Sequence, residues 1–251
     1  MRQVYDAENV TLFEADALEL LRSLPSGSTD LLLTSPPYNL LNSPGGGMKD
    51  RRGSLWESAA LRDGYGGTHN DNMPHEEYVA WQRDILGEGM RVLSDTGVIF
   101  YNHKWRVQGG LLQDRSDIVD GFPVRQILIW QRAGGFNFND GYFLPTFEGI
   151  YVIAKPGFKL APGANQHGDV WKINPDASNP HPAPFPLALA DRIVESVPNN
   201  GGLVVDPFVG SGTSALAARG RGRRFVGGDK VPKYLDLAKE RLAQGVLPLF
   251  G

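Results

Sequence analysis

Apolar residues fall into short unbroken runs bounded by turn residues, over 30–33 (DLLL), 97–101 (GVIFY), 126–130 (QILIW), 149–153 (GIYVI) and 202–206 (GLVVD). Runs this short, rich in branched residues and without polar alternation, predict strands buried on both faces of a sheet. Between them, apolar positions recur three and four apart over 17–24, 75–93, 186–197, 214–219 and 232–244, which predicts helices. Asp16 stands where the first helix needs an N-cap, and Pro74-His75-Glu76-Glu77 places proline and acids at the start of the second. The alternation predicts an α/β fold, a doubly wound and mostly parallel sheet with helices on both sides.

Two stretches follow neither period. Residues 41–73 are rich in Gly, Arg, Asp and Asn, and residues 158–184 in Pro, Asn and Gly. The first is expected to be a flexible insertion and the second an irregular connection within one catalytic domain spanning 1–251. With 41% hydrophobic residues, a chain of 251 suits one α/β unit better than two. Neither a basic and apolar leader nor a run of the roughly 20 apolar residues needed to cross a bilayer is visible, so a cytoplasmic protein with no membrane contact is expected.

Charge and cysteine content narrow the chemistry. The chain has no cysteine, which excludes disulfides, thiolate zinc sites and any cysteine nucleophile. The five histidines show no metal-ligand spacing, and no metal is expected. A net charge of −3 argues against a nucleic-acid partner, yet Lys49, Arg51 and Arg52 cluster, as do Arg219, Arg221, Arg223 and Arg224. A local basic face and ordinary solvated charge both account for that pattern.

Thr34-Ser35-Pro36-Pro37-Tyr38-Asn39 follows the 30–33 strand directly, where ligands bind in parallel sheets. Two prolines fix φ twice and remove two amide donors, leaving a rigid, acceptor-rich corner beside a hydroxyl and an aromatic ring. Such a corner suits a planar group with an NH₂ edge: the amine of a flipped base can donate to Ser35 and to the Pro36 carbonyl while Tyr38 stacks on the ring. An ordinary Pro-Pro turn that buries a tyrosine is the plain alternative. The second motif, Asp206-Pro207-Phe208-Val209-Gly210-Ser211-Gly212-Thr213, runs from a strand into a glycine-rich turn and a helix. No lysine follows Gly212 and the three spaced glycines of a dinucleotide site are missing, so the strand-tip acid points to a cofactor with a cationic amino-acid portion. Farther on, the strand over 224–229 ends in Asp229, suited to ribose hydroxyls or to capping the next helix.

Together these motifs resemble the amino-group DNA methyltransferases of prokaryotes and their phages, which methylate N4 of cytosine or N6 of adenine. The catalytic motif comes first and the glycine-rich motif last, as in the β-type order, and the resemblance runs along nearly the whole chain. Phe13-Glu14-Ala15-Asp16-Ala17, Ile129-Trp130-Gln131, Glu148-Gly149-Ile150 and His181-Pro182-Ala183-Pro184-Phe185-Pro186 resemble further family elements. It implies a Rossmann-like S-adenosylmethionine-dependent fold with permuted motif order. By that resemblance Asp206, Phe208, Gly210, Gly212 and Thr213 would line the methionine side, Asp229 the ribose and Asp16 the adenine. Ser35, Pro36, Pro37 and Tyr38 would hold the target base of double-stranded DNA. The resemblance also admits a homodimer and a cognate restriction endonuclease.

The chain departs from the family at Phe185, where Lys is frequent, and at Asp229, where Glu is commoner. Its recognition region before His181 is short, which shifts that role to Lys49, Arg51, Arg52, Trp56, Arg62, Tyr65, His69 and Asn70 in the insertion. C5 methylation needs a cysteine, so an exocyclic amine is the expected acceptor. Ser35 favours N4 of cytosine, because adenine enzymes more often carry Asp there, while Asn39 is similar to adenine-type enzymes. RNA and protein-amide methyltransferases share the corner but place the glycine motif first. A non-catalytic DNA-binding module that kept the fold is the alternative from another class.

Overall fold

The computed structural model describes residues 1–39, 71–108, 110–132, 140–176, 179, 185–199 and 201–244. The insertion over 41–73 lies outside them except for 71–73, so the recognition role expected of Lys49 through Asn70 lies outside the described residues, as does the segment 181–184.

Along the chain come β1 (Arg2–Ala7), β2 (Val10–Glu14), α1 (Ala17–Ser23), β3 (Thr29–Thr34), α2 (His75–Val92), β4 (Leu93–His103), β5 (Arg106–Gln108) and β6 (Leu111–Gln113). After these come α3 (Ser116–Val119), β7 (Val124–Gln131), β8 (Phe147–Ala154), β9 (Val170–Lys172), α4 (Leu187–Glu195), β10 (Leu203–Asp206), α5 (Thr213–Gly220), β11 (Arg224–Asp229) and α6 (Pro232–Gln244). Among the described residues nine strands form one sheet in the order β1-β2-β11-β10-β3-β4-β8-β7-β9, and β5 and β6 pair separately. From β2 to β4 the neighbours are all parallel. β1 and β8 run the other way, and β9 lies parallel to β7.

Alternate residues of the central strands explain the two layers, since successive side chains in a strand point to opposite faces. Leu31, Leu33, Val98 and Val204 pack with Leu189 and Ile193 of α4, Ala215 of α5 and Leu235 of α6. Leu32, Ile99 and Val205 pack with Leu21 of α1 and with Ile85 and Leu86 of α2. The chain leaves β3 towards the α1/α2 face and leaves β10 towards the α4 to α6 face. The crossovers therefore diverge between these two adjacent strands, and a crevice opens at their carboxyl ends.

Two expectations need correction. The 126–130 run lies in β7, whose Gln126 and Ile127 are exposed, so that strand is not buried on both faces. It lies near the sheet edge, covered beyond by the three residues of β9. The connection over 158–184 is not wholly irregular: it holds a turn of 3-10 helix at Ala164–Gln166 and β9 itself, whose Trp171 is buried. At the start of the chain Glu8 and Asn9, with φ of 51° and 65°, form the tight turn that joins β1 to β2.

Candidate active site

β3 and β10 pair directly, Val204 with Leu31 and Val205 with Leu32, so both motifs leave the sheet on the same rim. One cavity there is lined by Asp16, Ser35, Pro36, Pro37, Tyr38, Asp206, Phe208, Gly210, Thr213 and Asp229, ten of the eleven residues singled out in the sequence. The eleventh, Gly212, sits behind it as the N-cap of α5 at φ 80°, where a Cβ would lie 2.9 Å from Ala238 Cβ. Its glycine serves the turn and the close approach of α6.

The acids are held before any ligand arrives. Asp206 accepts from the Phe208 amide at 3.0 Å and from Ser214 Oγ at 2.6 Å. Burial pushes its carboxyl up to about 7 against those hydrogen bonds, and the charge of Asp229 adds to the rise. Asp229 accepts from the Gly210 amide at 3.0 Å and the Val231 amide at 2.8 Å, and desolvation pushes it up to about 6. It therefore caps the turn into α6 as well as facing the cavity. Asp16 caps α1 through the Leu18 amide at 2.9 Å and pairs with Lys230 Nζ at 2.6 Å. Burial opposes its ionisation, yet Lys230 and the backbone amide outweigh that and hold it below its usual value. Arg241 of α6 clamps the glycine turn, reaching the Ser211 carbonyl at 2.7 Å and Thr213 Oγ1 at 3.0 Å. Two desolvated carboxyls in one cavity favour a ligand that brings positive charge.

The double-proline corner is braced from α2 and β4. The Pro37 carbonyl lies 2.8 Å from Tyr78 Oη and 3.4 Å from Gln82 Nε2, whereas among the described residues no hydrogen bond reaches the Pro36 carbonyl. Asn39, at φ 55°, clasps Met73 through both its amide nitrogen and oxygen. The Tyr38 ring rests on His103 with centroids 4.7 Å apart. Burial, and then the charge of Arg115, hold that imidazole well below its usual range, so it is neutral. Tyr38 Oη meets Ser35 Oγ at 2.8 Å, Glu148 Oε2 at 3.0 Å and Asn102 Nδ2 at 2.6 Å.

Sequence reasoning missed several of these groups. Lys230, Trp81 and Tyr234 line the cavity, and Trp81 meets Phe208 edge-on at 5.8 Å. Asn102, Arg132 and Glu148 gather behind Ser35 and Tyr38. The available signal was a lone carboxylate at the head of an apolar run, followed by Gly149-Ile150-Tyr151-Val152-Ile153. Among the described residues, no group of three or more His, Asp or Glu could hold a metal ion, and no helix is long and apolar enough to cross a membrane.

The profile of a family described as DNA methylase matches residues 29–240. The Type II methyltransferase M.ScaI of Streptomyces caespitosus is 28% identical over 98% of this chain and 85% of its own length. M.BglII of Bacillus subtilis, also a Type II methyltransferase, is 26% identical over 92% and 68% respectively. Among solved structures, the PvuII DNA methyltransferase (cytosine-N4-specific) superposes with a TM-score of 0.75 at 19% identity, covering 100% of this chain and 91% of that one. A putative DNA modification methylase from Thermus thermophilus, complexed with S-adenosyl-L-methionine, gives 0.67 at 26% identity, with 95% of each chain covered.

Proposed function

Because the chain belongs to the DNA methylase family whose profile spans residues 29–240, we propose that it methylates the exocyclic amine of a base flipped from double-stranded DNA, N4 of cytosine being the favoured acceptor. S-adenosylmethionine is the cofactor, and when bound it supplies an electrophilic methyl group on a cationic sulfur. The residues present fit it: a cavity with two desolvated carboxyls accommodates a cationic ligand, and a glycine turn lets the backbone approach closely.

The observation that carries the reading is the shared cavity, in which the Asp206 turn and the Ser35 corner face each other from adjacent strands. Asp206, Phe208, Gly210 and Thr213 form the methionine side, Asp229 receives the ribose, and Asp16 with Lys230 stands at the adenine end. Ser35 Oγ and the Pro36 carbonyl accept the two amine protons, which concentrates lone-pair density on the nitrogen. Tyr38, backed by His103, is the stacking surface for the base. No protein nucleophile is required, in keeping with a chain that has no cysteine. Ser35, standing where adenine-directed relatives more often carry Asp, supports cytosine.

Incubation with labelled S-adenosylmethionine and unmethylated DNA, followed by nucleoside mass spectrometry, tests the reading. N4-methylcytosine is the expected product, and N6-methyladenine reassigns the acceptor. Cofactor binding without label transfer leaves a non-catalytic module. Ser35→Ala is expected to abolish transfer while cofactor affinity persists.

A further inference from the structure

Five polar side chains from four segments meet at the back of the catalytic corner, and their hydrogen bonds can run in one direction only. Arg132 Nη1 holds Glu148 Oε1 at 3.1 Å, and an ion-paired carboxylate has lone pairs but no proton to give. Glu148 Oε2 therefore takes the phenolic proton of Tyr38 at 3.0 Å. Its one proton committed, Tyr38 Oη can only accept from Ser35 Oγ, 2.8 Å away, so Ser35 is the donor between them. Asn102 Nδ2 enforces the same direction with its two protons, reaching Tyr38 Oη at 2.6 Å and Glu148 Oε2 at 2.9 Å, with Ser35 Oγ farther off at 3.2 Å. Turning that amide round would set its oxygen against the carboxylate. The orientation is kept although Asn102 Oδ1 is then buried without a hydrogen bond among the described residues.

A serine hydroxyl free to rotate can donate to a carbonyl or an unprotonated ring nitrogen as readily as it accepts from an N–H. With its proton directed inwards to Tyr38, Ser35 Oγ turns lone pairs towards the cavity it lines. We infer that Glu148, anchored by Arg132 and supported by Asn102, is a positioning residue that fixes the Ser35 hydroxyl as an acceptor and so selects an amino group as the methyl acceptor. The inference rests on the methyl-transfer reading above and adds residues remote from Ser35 in sequence to its machinery.

Tyr38→Phe and Glu148→Gln each interrupt the chain of bonds. The first removes the middle hydroxyl and keeps the ring; the second puts a group that can donate where only an acceptor stood. Single-turnover methyl transfer to unmethylated duplex DNA is expected to slow on the order of 100-fold in each. Cofactor Kd by titration calorimetry and KM for DNA should stay within about threefold, and the double variant should be no slower than the slower single one, because the groups act as one unit. Rates within about threefold of the unmodified chain in both variants, or losses that multiply in the double variant, overturn the inference. Should Glu148→Gln misfold, seen as lost cofactor binding, Tyr38→Phe decides alone. An unmodified chain that transfers no label removes the underlying reading and this inference with it. An active chain with unaffected variants sinks the inference alone.

Discussion

Replacing Asp206 with Asn probes the electrostatic centre of the site. In the ligand-free protein burial pushes this carboxyl up to about 7, against a usual value of 3.8. A folded value above the unfolded one means that the folded state holds the proton throughout that window, so its contribution to stability declines as pH rises from below 4 to above 7. The gap of about three pH units corresponds to about 4 kcal/mol. Asn has the same outline without the charge: its oxygen accepts from the Phe208 amide, and its NH₂ donates to a Ser214 hydroxyl that can turn to receive it. The ligand-free variant is therefore expected to melt several degrees above the unmodified chain at pH 8 and close to it at pH 5. Cofactor binding reverses the ranking. A cationic ligand favours the ionised carboxyl, so affinity in the unmodified chain should weaken about tenfold per pH unit just below 7, and more steeply below 6 where Asp229 also takes up a proton. In the variant binding should be weak throughout, with only the residual dependence set by Asp229, whose carboxyl stands at about 6. Thermal melts and calorimetric titrations at pH 5, 6, 7 and 8 read both effects. Affinity that is flat across that range, or a variant that melts below the unmodified chain at pH 8, refutes the reasoning.

Other substitutions address the scaffold of the same cavity. Gly212→Ala puts a Cβ 2.9 Å from Ala238 Cβ at φ 80°, and a loss of roughly 1–3 kcal/mol is expected from urea unfolding; an unchanged midpoint shows that α5 and α6 separate freely. Asp16→Asn keeps the cap on Leu18 and loses the charge that pairs with Lys230, so stability should hold while cofactor affinity drops; an unchanged Kd removes the adenine contact. Asp16→Ala should lose the cap as well, about 1 kcal/mol in thermal or urea melts. Arg241→Ala frees the Ser211–Thr213 turn and should raise cofactor Kd with little effect on turnover at saturation; a fall in turnover alone contradicts that division.

Much of this was readable in the sequence because it is local. Apolar runs and helical spacing marked the central strands and long helices, since a strand between two helical layers has no face on which to show polar residues. The two motifs were contiguous, so their residues could be named and their convergence expected from where strand ends lie in an α/β sheet. β7 misled the reading because a run such as Gln126-Ile127-Leu128-Ile129-Trp130 does not encode how close to the edge its strand will lie. The cluster of Asn102, Arg132 and Glu148 was hidden for a different reason. Its members lie on β4, just after β7, and on β8, and only the antiparallel pairing of β8 with both neighbours brings them behind Ser35.

The order of strands also bears on how the protein emerges from a ribosome. β2 finds its parallel partner in β11, and β3 finds one of its partners in β10. Both late strands are translated after residue 200. A nascent chain that has exposed β1 to β9 thus carries two open edges in the middle of its future sheet, and open edges invite pairing with other chains. The cavity acquires Asp206 and Asp229 only when those edges close, so cofactor capture waits until both late strands have been made.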